Sequence, residues 1–276
     1  MPTTTLVLNH ARPIPLQTRK HRTALRRVID LVQGVISGTE PGGSYTLLTD
    51  ETALGTAGVA SKACAVFRMA SSTGTITATI DGTAVAITWA TDDTTSQGLL
   101  VDAINANATV KPFVRATRYV AQLAMASVVA GTTITIGGLT YTATAAATSK
   151  LREFSIAGAD AADATALANA INADPALVGK YVATADGTNA VVYIGTVGDR
   201  ATTSAEKPIA SAATFTVTDF AAGAVSMVYA VTPGRIGNCC TITATGTNAS
   251  IRTANSGKLG QGVGGLITAQ VTDYDR

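Results

Sequence analysis

Strict alternation of apolar and polar residues predicts two β-hairpins in the middle of the chain. Residues 75–80 alternate, an Asp-Gly pair provides a tight turn, and residues 83–89 resume the alternation. The same arrangement returns about 57 residues later, where residues 132–136 and 139–143 flank a Gly-Gly pair. The pattern therefore predicts that each hairpin presents one apolar face for packing.

The hairpins belong to an internal repeat. Each leads into a predicted short helix ending in the string Ala-Ile-Asn-Ala, at residues 103–106 and 170–173, and then into a strand, at residues 113–117 and 181–184. Asp93 and Asp160 lie near the two predicted helix starts, where aspartate caps helices well.

A third, partial copy lacks the helix: residues 228–235 echo residues 192–200 and lead into a strand at residues 239–245. We therefore predict an α+β, β-rich fold with two tandem β-hairpin–helix–β modules in mostly antiparallel sheets.

The N-terminal part follows a different pattern. Residues 1–17 are predicted to form an extended arm, because Pro13 and Pro15 disfavour a helix there. Residues 19–37 have apolar positions at three- and four-residue spacing, which predicts an amphipathic helix that Gly38 ends.

These patterns divide the chain into four parts. Residues 1–60 hold the basic arm, the amphipathic helix and a Gly/Thr-rich linker; residues 61–130 hold the first β-rich module. Residues 131–250 hold the second module with the partial third copy, and residues 251–276 hold a Gly-rich loop and a strand.

Charge is scarce and unevenly placed. Charged residues make up 14% of the chain, against about 25% in an average soluble domain, and Ala, Thr, Gly and Val take their place. Such a surface is suited to being covered by neighbouring subunits. The net charge is +2, but six basic residues precede the first acidic one, namely Arg12, Arg19, Lys20, Arg22, Arg26 and Arg27.

We predict that the basic arm and the helix after it make assembly contacts. The expected contact residues are those six basic residues together with the apolar residues Leu25, Val28, Ile29 and Val32. An acidic patch on a neighbouring subunit is the favoured partner of the basic residues, with packaged DNA and a solvated face as alternatives.

No catalytic, cofactor or metal site is predicted. The two histidines, His10 and His21, both lie in the arm, and no ligands sit at metal spacing. The glycine-rich residues 260–265 lack the helix and the acidic residue that a dinucleotide site needs, and Ser204 and Lys207 match S-x-x-K without partner motifs.

The opening residues do not resemble a signal peptide, and no apolar run is long enough to span a membrane. Cys239 and Cys240 are adjacent and should not bridge each other; one of them could meet Cys64, although buried free thiols are the favoured reading.

The repeat resembles a module found in structural proteins of tailed bacteriophages. The matching residues are 133–143, 164–173, 232–238 and 241–245, and the resemblance covers roughly residues 63–250. The module is similar to domains inserted in phage tail-sheath proteins, although the chain has no room for the large core domain of a sheath protein.

The resemblance implies a non-enzymatic structural subunit of a virion, made in the host bacterial cytoplasm and assembling with itself and with other virion proteins. The tail is the favoured location. A capsid decoration protein is the alternative, and a receptor-binding β module of a fibre is a weaker one, because the chain has only one tryptophan and 5% aromatic residues.

Overall fold

The computed structural model describes residues 61–146, 150–186, 188–233, 240–252 and 259–260, together with the backbone of three further strands at 3–8, 45–49 and 267–272. The chain divides into two compact units, one of residues 1–50 and 265–276 and the other of residues 51–264. The predicted helix at residues 19–37 lies outside the described residues.

The first unit contains one small antiparallel sheet. Its strands are β1 (Thr3–Leu8), β2 (Tyr45–Thr49) and β14 (Ile267–Thr272), and β14 lies in the centre. Thr3 pairs with Thr272, and Tyr45 pairs with Val271. One strand of the predicted N-terminal arm therefore pairs with the predicted C-terminal strand.

The second unit carries two helices and eleven strands among its described residues. The helices are α1 (Asp93–Ala106) and α2 (Asp160–Asn172). The strands are β3 (Cys64–Ile80), β4 (Thr83–Thr88), β5 (Val114–Met125), β6 (Thr133–Ile136), β7 (Leu139–Thr144), β8 (Glu153–Ser155), β9 (Tyr181–Asp186), β10 (Val191–Thr196), β11 (Ile209–Ala210), β12 (Phe215–Ala230) and β13 (Ile242–Arg252).

These strands form two sheets. The larger has seven strands, in the order β13-β3-β12-β5-β10-β9 with β4 paired to the second half of β3. The smaller has the order β11-β6-β7-β8, and only its β7–β8 pair is parallel. The prediction of a β-rich α+β fold with mostly antiparallel sheets is confirmed.

The finer prediction of two tandem modules is not confirmed by the sheets. The order hairpin, helix, strand does occur twice along the chain. However, the first hairpin belongs to the seven-stranded sheet and the second to the four-stranded sheet, whereas the strands after both helices, β5 and β9, share the larger sheet. Strand β12, from late in the sequence, lies between β3 and β5, so the strands of the predicted first module are not neighbours in the sheet.

The larger sheet curls until its last strand returns to β3. The Cys64 Sγ atom, near the start of β3, lies 3.3 Å from the Ala183 carbonyl oxygen of β9. The concave side is filled by apolar side chains, namely Cys64, Val66, Val120, Val182, Tyr193, Val225, Met227 and Tyr229. Because a further core covers its other face, all six residues of β9 are buried.

Each helix covers a separate core on the outside of the curled sheet. Helix α1 packs Leu100, Val101 and Ile104 against β12, β5, β4 and β3, and α2 packs Leu167 and Ile171 between β9 and the four-stranded sheet. The two α-helices of the described chain therefore occupy corresponding places, as their shared sequence string suggests.

An aspartate at the first position of each helix holds an earlier segment of the chain. Asp93 accepts hydrogen bonds from the Ser71 and Ser72 amides and from Trp89 Nε1, and Asp160 accepts one from the Ser127 amide. The side-chain cap of α1 is the neighbouring Asp92, which accepts from Thr95 N at 2.7 Å.

Candidate assembly surface

All ten residues predicted to make assembly contacts lie outside the described residues. They are Arg12, Arg19, Lys20, Arg22, Leu25, Arg26, Arg27, Val28, Ile29 and Val32. Their role stays a prediction, and a surface for assembly has to be sought in the sheets instead.

An uncharged, threonine-rich face covers one corner of the larger sheet. Alternation in β3 directs Ile76, Ala78 and Ile80 into the core under α1, so Thr75, Thr77 and Thr79 point to the opposite side. The hairpin partner β4 alternates in the same register, with Val85 buried between exposed neighbours.

The register aligns small side chains into rows across three strands. One row joins Ala84, Thr79 and Thr243, and the next joins Ala86, Thr77 and Thr245. Further pairs extend the face on either side, namely Thr75 with Thr88 and Thr73 with Thr247. Short uncharged side chains lose little rotamer entropy when a second surface covers them, so burying this face has a small conformational entropy cost.

Strand β13 forms the outer edge of this face. Among the described strands it pairs with β3 and no other. The Asp81 amide donates to the Thr241 carbonyl, so antiparallel alternation turns the backbone groups of Ile242 and Ala244 outward, away from β3. Within the described residues no strand pairs with these outward groups, so the edge offers donors and acceptors to another strand.

The β13 edge lacks the usual protections against strand addition. Residues 242–251 contain no charged residue and no proline, although natural edge strands often use both to prevent pairing. Irregularity begins only at Gly246 and Asn248, which have φ angles of 133° and 56° and interrupt the register with β3. Residues 242–245 thus form a regular, open segment.

The opposite edge of the sheet is protected. On β9, the Asn172 side chain accepts from the Ala183 amide at 2.9 Å and donates to the Ala183 carbonyl at 2.8 Å. An asparagine amide that bonds both groups of one residue takes the place of a neighbouring strand. In contrast to β13, β9 therefore has the outward amide and carbonyl of Ala183 hydrogen-bonded.

The same clamp occurs in the first repeat. Asn105 accepts from the Ala116 amide at 2.9 Å and donates to its carbonyl at 3.0 Å, on the part of β5 that β10 does not reach. In both cases the asparagine precedes its partner by 11 residues. The sequence showed the shared Ala-Ile-Asn-Ala string but did not show that its asparagine binds the following strand. The equal distance in sequence from each asparagine to the next strand could have indicated this role.

Charged groups elsewhere in the second unit are joined into ion pairs between elements. Arg118 Nε lies 2.9 Å from an Asp199 carboxylate oxygen, and Arg118 also binds Asp102. Arg200 binds Glu206 at 2.7 Å, and hydrogen bonds from Arg200 and from Thr203 and Tyr181 lower the pKa of Glu206.

The most deeply buried ion pair ties the smaller sheet to the loop after α2. Arg152 Nε and the Tyr141 hydroxyl donate to the same Asp174 oxygen, at 2.7 and 2.8 Å. Burial alone would raise the pKa of Asp174, but these bonds and one from the Ala176 amide outweigh it and lower the pKa. The carboxylate is therefore satisfied by structural partners.

The S-x-x-K motif lies in the described part of the chain, whereas residues 261–265 of the glycine-rich motif lie outside it. Ser204 begins a short 3-10 helix (Ser204–Glu206) capped by Thr203, and Lys207 pairs with Asp219. Trp89 is half-buried against the core under α1.

Cys64 and Cys240 are buried free thiols whose pKa burial raises, to about 12 and about 11. They form no disulfide with each other, and Cys239 lies outside the described residues.

No group of three or more metal-ligating side chains is found in the described part of the chain, and none of the helices described there could cross a membrane. No protein-family model matches the sequence, and searches of curated proteins and of solved structures found no significant match.

Proposed function

We propose that this chain is a non-enzymatic structural subunit that assembles with copies of itself through the edge of its larger sheet. The observation that carries the proposal is the open β13 segment at residues 242–245, bordered by the threonine face. A second copy could add its own β13 along this edge, since two such strands supply complementary donors and acceptors.

The energetics favour repeated rather than isolated contacts. A backbone hydrogen bond contributes about 0.5–1.5 kcal/mol net, so the few outward groups of residues 242–245 would hold two copies weakly. A β13–β13 contact uses the same surface on both copies and closes a pair, so a ring or lattice needs a second contact as well, for which the threonine face is the proposed surface. Weak edges that become stable only in a closed assembly are suited to a particle built in steps.

The setting that we propose is a tailed-phage virion, with the tail favoured. This part rests on the sequence resemblance of the repeat and on the low charge of the chain. Other virion proteins are the proposed further partners, and the basic arm is the proposed contact to them. Capsid decoration remains the alternative within the same class.

We also propose that the two helix–strand segments are copies of one building unit. The matched asparagine clamps on Ala116 and Ala183 support this, because both join a helix end to the following strand in the same way. In this proposal the hairpins diverged in the sheets they joined while the helix–strand part was retained.

A charge placed on the edge tests the assembly proposal. Thr243→Lys and Thr245→Lys put positive charge on exposed positions of β13, where two copies would face each other. We expect self-association to weaken at least about tenfold, as charged edge residues oppose strand pairing. Thr140→Lys is the matched control, on an exposed position of β7 in the other sheet.

Size-exclusion chromatography with light scattering would measure association, and negative-stain microscopy would show its form. Rings or tubes that the β13 variants lose would support a tail subunit. Small oligomers that the same variants lose would support the decoration alternative. Association that the control weakens as much as the β13 variants do, or that neither affects, would refute assembly through this edge.

A further inference from the structure

One end of the curled sheet holds two depressions separated by a lysine. Here β3 begins, β12 ends and β10 ends, and Lys62 lines both depressions. The first has a volume of about 270 Å³ and is lined among others by Ile171 and Asn172 of α2. The second, of about 350 Å³, is lined among others by Arg115, Gly198 and Tyr229.

Lys62 is held in place by main-chain oxygens. Its Nζ donates to the carbonyls of Ala230 and Val231 at the end of β12. The side chain is half-buried, and this burial lowers its pKa. Within the described residues no carboxylate pairs with Lys62, so its positive charge is balanced only by carbonyl dipoles.

Arg115 brings a second positive charge to the same depression. The only hydrogen bond from its side chain to a described residue runs from Nη1 to the Asn105 carbonyl, at a long 3.4 Å. Since a guanidinium has five N–H donors, most of its capacity is left for another acceptor. It forms no ion pair with a carboxylate of the described chain, in contrast to Arg118, Arg152 and Arg200.

Tyr229 adds a neutral donor. Its hydroxyl oxygen accepts a hydrogen bond from the Gly198 amide at 2.8 Å, which leaves the hydroxyl proton for an acceptor within the depression. Two cations and one hydroxyl donor thus line a space for which the lining residues provide no carboxylate. Charge-assisted hydrogen bonds of this kind are the strong ones in anion recognition.

We propose that the depression lined by Lys62, Arg115 and Tyr229 binds an oxyanion, a carboxylate or a phosphate group. Its volume suits a small group rather than an extended ligand. The group can be a free anion or an acidic side chain of a second copy of the chain, and both would make the same contacts.

Isothermal titration calorimetry on the full chain tests the site with sodium phosphate and sodium acetate, at an ionic strength matched by sodium chloride. We expect saturable binding of at least one anion. Arg115→Gln should weaken it about tenfold or more, as loss of a charge-assisted pair implies. Lys62→Gln should do the same, and Arg115→Gln is informative even if Lys62 proves necessary for folding.

Arg68→Gln is the matched control, because it removes an exposed arginine from β3 six residues away from Lys62. Free-anion binding that Arg115→Gln weakens and Arg68→Gln does not would establish the site for a small anion. Absence of free-anion binding, with self-association reduced by Arg115→Gln and not by Arg68→Gln, would identify the anion as a carboxylate of a second copy. If Arg115→Gln and Arg68→Gln have the same effect on anion binding and on self-association, the proposed anion site is refuted. Assembly through the β13 edge is tested separately by the Thr243 and Thr245 variants.

Discussion

The asparagine clamp offers the sharpest test of how the second unit is held together. Asn172→Asp keeps the oxygen that accepts from the Ala183 amide but replaces the donor to the Ala183 carbonyl by a second oxygen. Two oxygens would then face each other at the 2.8 Å now spanned by a hydrogen bond. Asn172 is 6% exposed and Ala183 is fully buried, and the other described donor to the Ala183 carbonyl is the weak Cys64 thiol, so the lost amide donor is poorly replaced.

The magnitude follows from these contacts. A buried carbonyl without its donor costs about 1–3 kcal/mol, and an unpaired buried carboxylate adds several more. We expect Asn172→Asp to lower the free energy of unfolding by about 3–5 kcal/mol near neutral pH. Asn105→Asp removes the same bond at a half-buried site. About 1–2 kcal/mol is expected there, because solvent screens the introduced charge and the cations Lys62 and Arg115, which line the same depression, offset it.

Asn107→Asp is the matched control. The Asn107 side-chain oxygen accepts from the amides of Thr109 and Val110, at 3.0 and 3.1 Å, and a carboxylate can accept both bonds. Because the substitution removes no hydrogen bond recorded for this side chain, the expected cost is below about 1 kcal/mol, the size of a helix-end charge effect.

Urea unfolding measures all three variants, followed by far-ultraviolet circular dichroism and by the fluorescence of Trp89, the only tryptophan. The carboxyl group introduced by Asn172→Asp should have a raised pKa, because burial and the facing carbonyl disfavour its charged form. Its cost should therefore be full at neutral pH and shrink as the pH falls towards about 4. Equal stability of Asn172→Asp and Asn107→Asp at neutral pH would refute the clamp.

Two further predictions concern the core and a buried acid. In Gly195→Ala the new Cβ would lie 2.9 Å from both Met227 Sδ and Thr117 Cγ2, so we expect the free energy of unfolding in urea to fall by about 1–3 kcal/mol. Gly223→Ala is the control, because a Cβ there would have no atom within 4 Å, and its stability should change little. Similar losses in the two variants would contradict this packing. Burial raises the pKa of Asp163, so its charged form destabilises the fold as the pH rises above about 4. Asp163→Asn should therefore raise the thermal unfolding midpoint at pH 7 and not at pH 3. An equal rise at both pH values would show that the charge of Asp163 is not responsible.

Local patterns predicted the elements that occur at the repeat. Residues 75–80 and 83–88 lie within the predicted first hairpin, and both helices end within one residue of the shared string's asparagine. These features follow from neighbours in sequence: alternation with a period of two, a glycine turn, and apolar residues on one helix face. The same alternation fixed which threonines point away from the core.

Strand order could not be predicted in this way. Strand β12 lies between β3 and β5, and β9 and β10 join the same sheet although they belong to the second repeat. Alternation is the same in a central strand and in an edge strand, so it does not tell which strands pair. The predicted modules assumed that strands close in sequence pair with each other, whereas the larger sheet joins strands from distant parts of the chain.

The candidate surface shows the same division. The sequence by itself determined that the chain is poor in charge and that residues 242–245 alternate between apolar and threonine. Only the tertiary structure decided that this strand is an open edge, that Asn172 closes the other edge, and that Lys62 and Arg115 line one depression. The physical reason is that hydrogen-bond partners and neighbouring charges are set by strand pairing across the fold, which local composition leaves undetermined.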